Sequence, residues 1–316
     1  MSRKINNILV TGATGFVGSH LVKKILEEDY NLTGTKRTTS SLWRIEDVSQ
    51  EINFYNVDTD RIDIINDIFE DNKVDCVIHL ATYYKKFTES PQEIENIIDS
   101  NITFPSLILD IATRNKVPYF INTGTFFEYN LNKKKPIKEN SEIFPYNTYA
   151  ATKIGFENIL KRYTRKGIKA VTLKLFSPYG ERDNEKLVTY LINNILRNNP
   201  IEITKGEQRL SFTYVEDIID AYLKTINFIQ DTNSNYETFN IGNNEVNSVK
   251  NIVKTLQKIE EKEVKIKWGS KPYSDNEIFY AQCNNKKARE VIKWKPKHSL
   301  EEGLSKTLKY YKNKLK

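Results

Sequence analysis

Residues 147–153 read NTYAATK and place a tyrosine and a lysine four positions apart. On a helix that spacing sets Tyr149 and Lys153 one turn apart on the same face. A phenol of pKa near 10 is a poor proton exchanger at neutral pH. An ammonium close by favours the phenolate and lowers that pKa, so the pair has the makings of an acid–base group. The same two residues also describe an ordinary surface pair. The elements that carry them have to decide.

The first strand-like run ends in TGATGFVG, with glycines at 12, 15 and 18. Gly12 permits a tight turn, Gly15 lets backbone approach a pyrophosphate, and Gly18 lets the next helix pack on the strand. That helix then presents its first N–H groups to the phosphates. Glycine triplets are common, but this one follows a strand, opens a helix and heads an alternating sheet, the context a dinucleotide site requires. A carboxylate ending the second strand would accept hydrogen bonds from the adenine-ribose hydroxyls of NAD. The chain has GTKRTTSS there, with Lys36 and Arg37 in place of the acid. Two cations suit a 2′-phosphate, which Arg37 can grip bidentately, so NADP(H) is expected ahead of NAD(H). Asp58, ending the third strand, is placed for the adenine amino group, with Val57 packing nearby.

Strand-like runs at 5–12, 32–37, 52–58, 74–81, 117–124 and 168–176 alternate with helical stretches at 16–28, 61–71, 92–115 and 147–166. Strand–helix–strand repetition with short turns predicts a doubly wound parallel α/β sheet. Residues 1–176 are therefore read as a dinucleotide-binding domain. Residues 177–316 read mainly as a smaller substrate lobe, with some segments expected to rejoin the sheet. In that lobe Trp268 and Trp294 are expected as core residues. Segments 130–146 and 268–278 are loop-like.

Composition narrows the class. The 316 residues suffice for a large core. No apolar run approaches the roughly 20 residues needed to span a bilayer, and no leader-like apolar segment opens the chain. Two distant cysteines, Cys76 and Cys283, argue against a disulfide framework and fit a reducing cytoplasm. Three scattered histidines and no CxxC give no metal cluster. The formal charge of +7 comes from lysines spread along the whole chain, which favours a solvated surface over nucleic-acid binding.

With these motifs together, the sequence resembles the extended short-chain dehydrogenase/reductase family. Within it, the likeness is to the nucleotide-sugar epimerase, dehydratase and reductase group. The marks are TGATGFVG (11–18), HLAT (79–82), Asn101, NTGTFFEY (122–129), YAATK (149–153), LFSPYG (175–180), FTYVEDIIDAY (212–222), FNIG (239–242) and WKPKHSLEEGL (294–304). The resemblance implies a Rossmann-type fold and a catalytic triad of Thr125, Tyr149 and Lys153. Thr125 would donate a hydrogen bond to the carbonyl oxygen where charge develops, and Lys153 would also hold the nicotinamide ribose. Asn101 would shape the helix behind the proton relay. Further cofactor contacts are implied for Thr14, Phe16, Val17, Leu80, Ala81, Thr123 and Phe176. A homodimer is implied through helices 92–115 and 147–166, the second carrying Ile154, Ile159, Leu160 and Tyr163.

Departures from the family pattern narrow the reaction. The group's 4,6-dehydratases carry an Asp-Glu pair after the catalytic Thr, whereas this chain has Phe126 and Phe127, which cannot titrate; Glu128 falls one place late. Nor is there a Cys/His pair for C3/C5 epimerisation. A 4-ketoreductase using NADPH and a 4-epimerase holding NAD(P) remain. Lys36 and Arg37 favour the reductase, and several stretches look most like the CDP-paratose and CDP-abequose synthase type. The expected substrate is thus a CDP- or dTDP-linked deoxy-4-ketohexose of surface-polysaccharide biosynthesis. The usual diphosphate-gripping Arg is Leu210 here, which leaves Lys186, Arg209 and Lys205 as candidates. Tyr83, Tyr84, Thr125, Phe126 and Ser177 are expected to line the sugar pocket.

Overall fold

The computed structural model describes residues 4–58 and 61–315. Seven parallel strands form one sheet. Its first six are β1 (Asn7–Thr11), β2 (Asn31–Lys36), β3 (Asn53–Asn56), β4 (Cys76–His79), β5 (Tyr119–Thr125) and β6 (Lys169–Leu175). The seventh, Tyr236–Ile241, joins the far edge beside β6, so the spatial order runs 236–241, β6, β5, β4, β1, β2, β3. β1 pairs with β2 on one side and β4 on the other. Strand order reverses at β1, and that opens a crevice at the carboxyl ends of β1 and β4.

Helices cover both faces because buried parallel strands are apolar on both. α1 (Phe16–Glu27) lies on one face with the helix Val215–Asp231, sealed by Leu21, Val22, Ile25, Ile218, Ile226 and Ile229. α2 (Arg61–Asn72), α4 (Phe104–Arg114) and α5 (Thr148–Tyr163) lie on the other, around Ile65, Ile108, Phe120, Phe156 and Leu160. Each such side chain contributes roughly 1.5–3 kcal/mol on leaving water. A separate core holds the C-terminal lobe together through Leu191, Ile192, Ile252, Leu256 and Leu308, and Phe16 reaches it from the glycine turn.

The stretch expected as one helix over 92–115 is interrupted. α3 (Pro91–Ile98) passes into a π-turn at Asp99–Thr103 before α4 begins. Asn101 lies in that turn and is buried. Trp294 belongs to the core beneath the sheet, on the face covered by α1, and its indole N–H donates to the Asp217 carbonyl at 2.8 Å. Trp268 is a surface residue, 38% exposed, because the short strand that carries it lies at the lobe's edge. Of the two tryptophans expected in the lobe core, Trp294 is core but belongs to the sheet's cluster, and Trp268 is not core.

Candidate active site

β1 delivers the chain into the crevice at Gly12, whose φ of 74° is left-handed. A Cβ there would come within 2.6 Å of the Ala81 amide nitrogen, and one at Gly18 within 2.1 Å of the Gly12 carbonyl. At Gly15 the nearest atom is the Gly12 carbonyl at 3.2 Å, so its outer side is open. α1 starts at Gly15 without a side-chain cap, leaving its first N–H groups free to meet an anion. This cradle fits the diphosphate of a dinucleotide. Thr14, Phe16 and Val17 follow the turn, while Leu80 and Ala81 face it across the crevice: the Leu80 amide donates to the Thr11 carbonyl at 3.1 Å. Thr123, on β5, donates its hydroxyl to the His79 carbonyl at 2.8 Å and lies 2.6 Å from the Tyr222 hydroxyl.

Thr11 pairs in register with Thr35, so Lys36 and Arg37 emerge level with Gly12 on the same edge. Arg37 is exposed and Lys36 half-buried. The side chain and amide of Thr38 hold the Asp58 acid below its ordinary value, the carboxylate accepting the amide. Asp58 thus fixes the loop that carries the two cations, and the Val57 amide donates to the Lys36 carbonyl at 3.0 Å.

α5 carries Tyr149 and Lys153. Its register is set by Asn147, whose side-chain oxygen accepts the Ala150 amide at 3.0 Å. Asn101 ties this helix to the loop after β4. Its oxygen accepts from the Thr82 hydroxyl and the Tyr83 amide, both at 2.9 Å. Its amide donates to the Tyr83 carbonyl and the Thr152 hydroxyl, both at 3.0 Å. Thr152 in turn donates to the Tyr149 carbonyl at 2.7 Å. All four hydrogen-bonding positions of the Asn101 amide are used, as a buried amide requires.

Burial, reinforced by the Glu128 carboxylate, pushes Tyr149 well above its ordinary pKa, and the polar side chain of Thr82, in the HLAT run, offsets this only in part. The Lys153 ammonium lies 5.9 Å from the ring centroid, and burial is the largest influence on the phenol. Burial also pulls Lys153 down, to about 8, against the upward pull of Glu128.

Thr125 ends β5 and caps the short 3-10 turn Phe126–Glu128. Its hydroxyl oxygen accepts the Phe127 amide at 3.3 Å. Phe126 is corrected from pocket lining to core. The turn buries it against Phe176, ring centroids 5.2 Å apart, in a cluster with Tyr129, Ile137 and Cys283. Phe127 packs on Phe126, centroids 4.3 Å apart, and reaches Tyr84 and Tyr146 at 6.4 and 5.3 Å. Tyr84 also meets Tyr149 edge to face at 4.9 Å, which makes an aromatic wall beside the phenol. Glu128 points away from this wall, into a buried ion pair with Lys174 at 2.7 Å, and cannot serve as an elimination acid there. Tyr83 reaches the network through its backbone. Ser177 takes a φ of 34° on the way out of β6. Lys186 precedes the helix Leu187–Leu196, 3.8 Å from Asp183, and Arg209 and Lys205 are exposed on the lobe. Lys86 crosses to the lobe, donating to Ser274 at 3.2 Å. Among the described residues no group of three or more metal-ligating side chains occurs, and no helix is long and apolar enough to cross a membrane.

Residues 8–242 match the NAD dependent epimerase/dehydratase family. The chain belongs to it. This is the extended short-chain dehydrogenase/reductase group that the sequence resembles. Among the family's characterised relatives, a CDP-abequose synthase from Salmonella muenchen is 26% identical over 95% of this chain and 96% of its own. A UDP-glucose 4-epimerase from Lactobacillus helveticus is 26% identical over 97% of both. Among solved structures, the UDP-glucose 4-epimerase of Thermotoga maritima, bound to UDP-glucose, superposes with a TM-score of 0.88 at 28% identity, covering 98% of this chain and all of that one. The UDP-glucuronic acid 4-epimerase of Bacillus cereus, bound to UDP-glucuronic acid and NAD, does so with 0.84 at 26% over the same shares.

Proposed function

We propose that the chain reduces the C4 keto group of a CDP- or dTDP-linked deoxy-4-ketohexose with NADPH, supplying a sugar for surface polysaccharide. One observation carries the reading: Lys36 and Arg37 stand level with the glycine turn, where an NAD enzyme of this fold carries a carboxylate. The Salmonella relative named CDP-abequose synthase supports the same direction.

NADPH, when bound, supplies the hydride. The open N-terminus of α1 and the backbone at Gly12 and Gly15 hold the diphosphate, while Arg37 and Lys36 meet the 2′-phosphate. Thr125 donates its proton towards the ketone oxygen, and Tyr149 gives up a proton as that oxygen becomes an alkoxide. A phenol kept protonated by burial is in the right state for that task. Lys153 holds the nicotinamide ribose and keeps a positive charge beside the phenolate left behind. The aromatic wall of Tyr84, Phe127 and Tyr146 suits the C–H face of a deoxygenated ring better than a fully hydroxylated one.

A second reading is a nucleotide-sugar 4-epimerase, favoured by the 4-epimerase relative and by the solved neighbour bound to NAD. Stoichiometric loss of NADPH absorbance with a CDP-linked 4-keto-3,6-dideoxyhexose supports reduction. Interconversion of UDP-glucose and UDP-galactose with no net change in cofactor supports the epimerase and overturns the reductase. We also infer a homodimer through α3 and α5. Of the α5 residues expected at its interface, Leu160 is core and Ile159 and Tyr163 pack on the chain's own sheet. The apolar surface is instead on α3, where Ile94 and Ile98 are each 43% exposed one turn apart. The buried free thiols of Cys76 and Cys283 fit a cytoplasmic setting, where NADPH is drawn on.

A further inference from the structure

Beneath the end of β5 lies a chain of buried charges that the proposed reaction does not use. Glu128 is fully buried, and its Oε1 accepts the Thr125 amide at 2.7 Å. Its Oε2 lies 2.7 Å from the ammonium of Lys174 on β6, which is itself 3% exposed. Lys174 is 3.1 Å from Glu157, and Glu157 is 2.6 Å from Lys161. Glu157 stands one helical turn beyond Lys153 on α5. The carboxylate of Glu128 fits because residue 124 is glycine: a Cβ there would come 2.7 Å from its Oε1 and 3.0 Å from the Lys174 side chain.

Buried ions lose hydration worth several kcal/mol each, and apolar side chains of equal volume hold a fold at least as well. What the network supplies is placement. Glu128 and Thr125 bind each other's turn reciprocally: the carboxylate takes the Thr125 amide while the Thr125 hydroxyl oxygen takes the Phe127 amide. With a lone pair committed inward, that hydroxyl has its single proton left to donate outward. We propose that Glu128 is a positioning residue for Thr125, and that Lys174 and Glu157 tie the position of that hydroxyl to α5, the helix bearing Tyr149 and Lys153. The inference rests on reading Thr125 as the donor to the sugar's C4 oxygen.

A double-mutant cycle in the full-length chain tests this, with NADPH and a CDP-linked 4-keto-3,6-dideoxyhexose. K174M is included throughout, so that no variant strands a buried ammonium. E128Q/K174M keeps an oxygen for the Thr125 amide, and E128L/K174M removes it. The expected result is a kcat for E128L/K174M about tenfold or more below that of E128Q/K174M, with KM for NADPH unchanged. In a T125A background the same Glu128→Leu change should cost less than about twofold. Equal losses with and without the Thr125 hydroxyl, or no loss at all, overturn the positioning role. If T125A alone leaves kcat intact, it is the reading of Thr125 that fails. Amide hydrogen exchange over 120–130 gives an answer that needs no turnover. E128L/K174M should exchange at least about tenfold faster there than E128Q/K174M at equal melting temperature, and equal exchange would sink the idea.

Discussion

The Lys153 ammonium sits 5.9 Å from the centre of the Tyr149 ring, one turn along α5 and buried. The phenol stays above the neutral range because burial costs the phenolate its hydration. The pair is therefore a protonated phenol beside a lysine whose own pKa has fallen to about 8.

That value sets a pH dependence. Lys153 titrates lower in the folded chain than the ordinary lysine value of 10.5, so above about pH 8 the folded protein loses the proton while the unfolded chain keeps it. Activity that needs the ammonium should fall as pH rises through about 8, while this residue's contribution to stability rises between about 8 and 10.5. Rate profiles of the wild type and K153R check it. The arginine keeps its charge, so any activity it retains should persist to higher pH.

Thr82 should matter although it was not among the expected site residues. Removing its hydroxyl in T82V takes away the hydrogen bond to Asn101 and the polar group that offsets part of the phenol's raised pKa. A net bond of this kind is worth about 0.5–1.5 kcal/mol, so kcat should fall roughly 2- to 12-fold with KM for NADPH unchanged. Steady-state kinetics with both substrates varied decides it, and a loss confined to KM would place Thr82 outside the proton path.

Arg37 should discriminate cofactors. R37A loses a charge-assisted grip on a 2′-phosphate worth about 1.5–3 kcal/mol, which raises KM for NADPH about tenfold or more. KM for NADH should hardly move. A parallel rise for both would mean that Arg37 only shapes the loop held by Asp58.

Ile94 and Ile98 should carry the subunit contact. Charging both in I94E/I98E puts two carboxylates on an apolar stripe and should convert a dimer to a monomer in sedimentation, with little change in melting temperature because both side chains are exposed. A monomeric wild type removes the proposed interface.

The residues with local signatures were readable from the chain alone. Gly12, Gly15 and Gly18 mark the cofactor turn through their place between a strand and a helix, and the spacing of Tyr149 and Lys153 is a property of any helix. The alternation of strands and helices through residue 176 gave the parallel sheet, because each buried strand and each amphipathic helix announces its own period. Tertiary structure decided what no local pattern encodes. Asn101 sits buried in the π-turn at Asp99–Thr103, where it joins Thr82, Tyr83 and Thr152. Glu128 and Lys174 lie 46 positions apart in sequence and became partners because β5 and β6 pair in register, Gly124 with Lys174. The proton affinity of Tyr149 followed the same rule. Its lysine neighbour was visible in seven letters, but its burial and the nearby charge of Glu128 came only with the fold.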